Sequence, residues 1–100
     1  MSASMEKAVE NLDIIIAKSL NESLRESLVE ARKILNQEKS KIWLRTKTGK
    51  PYAEKCYTLS ENLLNLMDGK IEQIEAALIE LMNHAEIIQE ESRNRSMVVT

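Results

Sequence analysis

The sequence predicts an all-α protein, an antiparallel two-helix hairpin that completes a four-helix bundle by dimerisation. Three observations predict it. Leu, Ile, Ala, Glu, Lys and Ser dominate a 100-residue chain in which 43% of residues are hydrophobic yet only 3% are aromatic and Phe is absent. That is the composition of helices packed through aliphatic stripes. Apolar residues recur at steps of three and four through two stretches of about 40 residues, the period of a helix with one buried face. Between the two stretches lies one strong turn signal, "TGKP" at Thr48 to Pro51, in a chain that has two Gly and one Pro. At 100 residues the chain is the size of one domain, too short for two separate cores.

The first helix is predicted over about residues 4–45. Gly and Pro are absent from Met5 to Leu44, and Met5, Val9, Leu12, Ile16, Leu20, Leu24, Leu28, Ala31, Leu35 and Ile42 hold the helical step. Ser4 is the expected cap, with Lys7 where a capping box would place an acid. Within "SLNESLRESL" the Ser-Leu pair returns every four residues, so the Leu row drifts about 40° per step and the stripe crosses its partner obliquely. Ser19, Ser23 and Ser27 flank that row as solvated serines or as small residues that admit another helix closely.

The bend is predicted at about residues 46–52. Gly49 readily takes the left-handed conformation that ends helices, and Pro51 biases Lys50 away from the α region while fitting the first turn of a second helix. That second helix, about residues 53–92, carries Cys56, Leu59, Leu63, Met67, Ile71, Ile74, Leu78, Leu81, Ala85 and Ile88 in one phase. Gly69 is its weak point, at a cost of roughly 1 kcal/mol relative to Ala. Because the apolar phase persists across "DGK", a continuous helix is favoured over a break. Residues 94–100, at the end of "SRNRSMVVT", are expected to be a disordered tail.

Two helices near 60 Å long at 1.5 Å per residue fold back only as a thin hairpin, and each stripe is wider than one neighbour covers. Exposing it costs about 25 cal/mol for each Å², so a homo- or hetero-dimer with another helical chain is expected. Leu12, Ile16, Leu20, Leu24, Leu28, Leu35, Leu63, Met67, Ile71, Ile74, Leu78 and Leu81 are the predicted partner-binding residues.

Chemistry finds little support. His84 has no His or Cys at ligand spacing, and no Glu stands three residues before it, so neither a zinc site nor a Glu-x-x-His carboxylate site is expected. Cys56 falls on the apolar stripe and reads as a small core residue, although Lys55 adjoins it. Gly49 and Lys50 lack the strand and further glycines of a phosphate loop. No cofactor is expected, and an enzyme is disfavoured. A single Cys suits a reducing compartment without fixing one. The N-terminus lacks a basic, then apolar, signal segment, and no run of about 18 apolar residues predicts a membrane span.

The charge is uneven. The formal net charge is −2, yet Lys39, Lys41, Arg45, Lys47, Lys50 and Lys55 against Glu54 give the bend +5 and leave −7 for the rest. Such a tip, with Trp43, Tyr52 and Tyr57 for stacking, would meet phosphate backbone or an acidic protein. The alternative is a solvated turn whose aromatics plug the end of the bundle. The acidic remainder argues against nucleic acid.

Two long helices in about 100 residues, with Trp43 followed by Gly49 at the central bend, resemble the small WXG-type, ESAT-like proteins of bacterial type VII secretion. That group includes the small partners of LXG-type toxins. In this chain "LRTKT" separates the Trp and Gly where the signature has one residue, and "YTLSE" (Tyr57 to Glu61) matches the export spacing at the opposite end of the second helix. The resemblance implies a dimeric adaptor or targeting chaperone without catalysis, paired with a toxin's N-terminal helical domain. It also implies a cytoplasmic protein with signal-peptide-independent export. The competing expectation is an intracellular regulator or scaffold that works through the bend, Trp43, Arg45, Lys47, Gly49, Lys50 and Pro51.

Overall fold

The computed structural model describes the backbone of residues 2–98 and the side chains of residues 2–95. It is all-helical, with α1 (Ala3–Lys18), α2 (Glu22–Glu38), a 3-10 turn (Ile42–Arg45), α3 (Lys50–Leu66) and α4 (Ile71–Val98). Where the sequence predicts two helices, the described residues form four. A continuous 40-residue helix would span about 60 Å, whereas the Cα envelope is 45 × 21 × 18 Å.

The first break falls at Ser19–Asn21, without Gly or Pro. Asn21 caps α2, its side chain accepting the Leu24 N–H at 2.9 Å, and Ser19 closes α1 with its N–H on the Ile15 carbonyl at 3.0 Å. Lys18 in the last turn of α1 and Glu22 in the first turn of α2 suit the two helix dipoles. At the other end of α1 the cap is Ser2 rather than Ser4: its hydroxyl accepts the Met5 N–H at 3.3 Å.

The second break falls at residues 67–70, so the continuous helix expected across Gly69 is not formed. The Met67 and Gly69 N–H groups bond back to the Leu64 and Leu66 carbonyls at 3.3 and 2.8 Å, and the Lys70 carbonyl starts α4. The tail expected to be disordered is helical through Val98, and its last residues, 99 and 100, lie outside the described residues. Arg93 on Glu90 at 2.7 Å and Arg95 beside Glu91 at 3.5 Å extend α4 by pairs of the i,i+3 and i,i+4 kind.

Cross-helix contacts give the directions. Arg32 meets Asp13 at 2.5 Å and the His84 ring meets the Tyr52 carbonyl at 2.8 Å, so α1–α2 and α3–α4 are each antiparallel hairpins. Asn11 donates to Ser60 at 3.1 Å and to Glu61 at 3.0 Å, while Lys7 sits over the Tyr57 ring at 5.9 Å. That constant offset makes α1 and α3 parallel neighbours. Leu24 lies by Leu78 and Glu38 by Ser92, so α2 and α4 are parallel as well.

The two hairpins therefore stack as layers, α1 on α3 and α2 on α4, with α2 and α3 at opposite corners. Both tight turns, 19–21 and 67–70, lie at one end, called distal here. Residues 39–49 cross the other end diagonally and cap it. Leu12, Leu28, Leu35, Leu63, Leu81 and Ile88 are fully buried between the layers, each such side chain contributing about 1.5–3 kcal/mol.

Candidate functional site at the two ends of the bundle

At the cap, the chain leaves α2 at Glu38, makes the 3-10 turn and enters α3 through Gly49 and Pro51. Leu44 plugs the core, and Trp43 is half-buried beside it. The Trp43 indole N–H donates to the Ser92 hydroxyl at 2.7 Å, and that hydroxyl donates to the buried Glu38 carboxylate. Arg95 covers the Trp43 ring at 4.5 Å, and the Tyr52 edge meets it at 5.3 Å. A Trp in this setting is a structural anchor: its apolar body seals the bundle and its one donor is satisfied.

Gly49 does not have the left-handed geometry expected of it. Its φ is −91° and ψ −25°, within the α region, and it is the N-cap of α3 instead of ending a helix. Glycine is needed there for space, since a Cβ would lie 1.8 Å from the Trp43 carbonyl oxygen. Pro51 sits in the first turn of α3, where a missing N–H costs little. Arg45, Lys47 and Lys50 are exposed around this cap.

The chemistry-bearing side chains are committed to structure. Burial pushes the Cys56 thiol up to about 12, which keeps it protonated and unreactive at neutral pH. His84 is buried between α3 and α4, stacked on Tyr52, with Nε2 donating to the Tyr52 carbonyl. Desolvation, helped by the Lys55 charge, lowers its pKa below the usual imidazole value against the opposing effect of that hydrogen bond. Among the described residues no group of three His, Cys, Asp or Glu is placed to hold a metal ion, and no helix is long and apolar enough to cross a membrane.

Most of the predicted partner-binding residues lie inside the chain's own core. Leu12, Leu24, Leu28, Leu35, Leu63, Ile74, Leu78 and Leu81 are buried, and Ile16 and Met67 are half-buried. Leu24 and Leu78 reach a groove at the surface, but Leu12, Leu28, Leu35, Leu63 and Leu81 cannot meet a partner without opening the bundle. Leu20 and Ile71 do face solvent, both at the distal end, and Leu20 is fully exposed at 102%. Near them a groove of about 190 Å³ runs between α2 and α4, lined by Asn21, Ser23, Leu24, Ser27, Glu75, Leu78 and Ile79. Small serines on α2 leave this space, and Ile79, 61% exposed, stands over it from α4.

The two ends differ in charge. The cap half (residues 2–10, 31–57 and 85–95) holds 11 basic and 7 acidic side chains, the distal half (11–30 and 58–84) 3 and 9. The net charges are +4 and −6, which sum to the −2 of the chain.

Sequence reasoning missed the buried polar groups that fix the architecture: Glu38, Ser92 and Asn11. Each sits at a core-facing helical position, and a polar residue on an apolar stripe is the signal that could have found them. No protein-family model, no curated protein and no solved structure matches the chain.

Proposed function

We propose that this protein is a non-catalytic helical interaction protein that binds a helix of another chain on its α2–α4 face near the distal end. The observation that supports this reading is Ile79, 61% exposed, in the lining of a groove with buried Leu24 and Leu78 and small Ser23 and Ser27, at the end of the bundle where Leu20 and Ile71 are exposed as well. An exposed apolar side chain standing over an apolar-floored groove is the kind of place a partner side chain fills. In the type VII-like setting implied by the resemblance, the chain would serve as a small partner or targeting chaperone. It would act in the cytoplasm and leave by a signal-peptide-independent route. The test is light scattering of the full chain mixed with helical proteins encoded beside it, native against Ile79→Asp. A stable complex that the substitution abolishes is expected. A complex indifferent to Ile79→Asp and Leu20→Asp, or none with any such protein, overturns the reading.

A second reading, a regulator or scaffold that binds nucleic acid or an acidic protein, has the cap in its favour. Residues 39–50 hold five basic side chains and no acidic one. We expect no DNA or RNA binding at physiological salt, because the acidic distal half repels a polyanion. A micromolar, salt-sensitive affinity lost on neutralising Lys47 and Lys50 would make this second reading the better one.

A further inference from the structure

We propose that a second copy of this chain docks its cap, with Ile42 leading, into the α2–α4 groove at the distal end of the first, so that copies associate head to tail. The inference rests on the reading of the groove as an interaction surface and goes beyond it by naming an occupant.

Both halves of the contact belong to one chain. Between residues 39 and 50 Ile42 is 71% exposed while Leu44 is buried and Trp43 half-buried, so Ile42 is the large aliphatic side chain that this basic segment presents to solvent. Lys41, Arg45 and Lys47 stand exposed around it. The groove offers the opposite: Leu24, Leu78 and Ile79 for an aliphatic side chain, with Glu75 in its lining. The segments that line it, 21–27 and 75–79, hold three Glu against one Arg. Opposite charges around a small apolar contact steer two surfaces together and fix their orientation. Because cap and groove sit at opposite ends, an engaged copy keeps one free cap or one free groove. The contact is heterologous and builds linear assemblies.

The test is light scattering of the full chain across a concentration series at low and high salt. The native chain should gain mass with concentration at low salt. Raising the salt from about 0.01 M to about 1 M cuts the screening length from about 30 Å to about 3 Å and should weaken association by about tenfold or more. Ile42→Asp disables the cap and Ile79→Asp the groove. Both sites are exposed, and circular dichroism should show each variant folded. Each alone should be a monomer, and a mixture of the two should give a dimer and nothing larger. A native chain that stays monomeric at low salt, a single variant that still grows, or a mixture that stays monomeric each overturns the proposal. A partner helix that binds the native chain while the mixture stays monomeric sinks the head-to-tail contact alone.

Discussion

Replacing Gly49 by Ala separates two explanations of the cap by the sign of its effect. Gly49 has φ −91° and ψ −25°, values Ala adopts without strain. Were conformation the only issue, Ala would stabilise the fold by about 0.4–1 kcal/mol by restricting the unfolded chain. The packing predicts the reverse. An added Cβ would sit 1.8 Å from the Trp43 oxygen, 2.7 Å from its carbonyl carbon and 2.8 Å from its ring carbon Cε3, and the two nearest of these are main-chain atoms. That carbonyl accepts the Thr46 N–H at 3.1 Å and the Thr46 hydroxyl at 2.6 Å, so moving it breaks the 3-10 turn and pulls Trp43 from Ser92. Overpacking costs about 1–3 kcal/mol and each lost hydrogen bond about 1 kcal/mol, which leaves a net loss of about 2–4 kcal/mol. For a chain of this length that lowers Tm by about 8–25 °C. Thermal unfolding followed by circular dichroism measures it, and red-shifted emission from the single Trp reports the displaced ring. An unchanged or raised Tm would refute the close approach of Gly49 to Trp43.

Ser92→Ala leaves the Trp43 indole N–H and the buried Glu38 carboxylate without their partner, so unfolding in urea should show a loss of about 2–4 kcal/mol. Leu24→Asp buries a charge without a partner and should unfold the chain, whereas Leu20→Asp at a fully exposed turn should stay within about 0.5 kcal/mol of native. Equal damage from both would restore the long continuous helix. His84 is favoured neutral in the fold, so between its lowered pKa and 6.5 the unfolded chain binds more protons and stability rises with pH. Its contribution is whole above about pH 6.5 and is lost as pH falls toward the folded value. The native Tm should therefore drop more than that of His84→Gln between about pH 7 and 5, and parallel curves would count against it.

The helical class was legible because apolar spacing reports directly which residues a helix can bury. Leu12, Leu28, Leu63 and Leu81 were found in this way and lie in the core. Chain direction was not legible from the same signal. Ile16, Leu20 and Leu24 continue a step of four, yet Leu20 belongs to a turn, and the spacing is blind to a reversal whose own residues are apolar. The reversal did leave a trace in Lys18, Asn21 and Glu22, a basic last turn followed by a cap and an acidic first turn. Met67 and Ile71 hid the second break likewise, since they keep phase across residues 67–70 although Met67 is half-buried against the core and Ile71 faces solvent. In the cap, Trp43 and Gly49 stood out by residue type, but their relation is a steric contact across five intervening residues, which no periodicity encodes.

The two breaks also explain why the candidate site lies at the ends of the bundle. A pair of long hairpins and a chain folded twice on itself bury the same kind of stripe, so apolar area does not choose between them. The cost of bringing the stripes together does. Two separate chains give up about 4–15 kcal/mol of translational and rotational freedom on association. Closing a short loop within one chain costs far less, and the cost grows only slowly with loop length. Against that saving stand the helical hydrogen bonds lost at each turn, of which Asn21, Ser19 and the backbone bonds at residues 67–70 replace several. Closure within the chain then spends the long stripes internally. Among the surfaces that closure leaves outside are the groove at the distal end, lined by Leu24, Leu78, Ile79 and Glu75, and the basic cap where residues 39–49 cross.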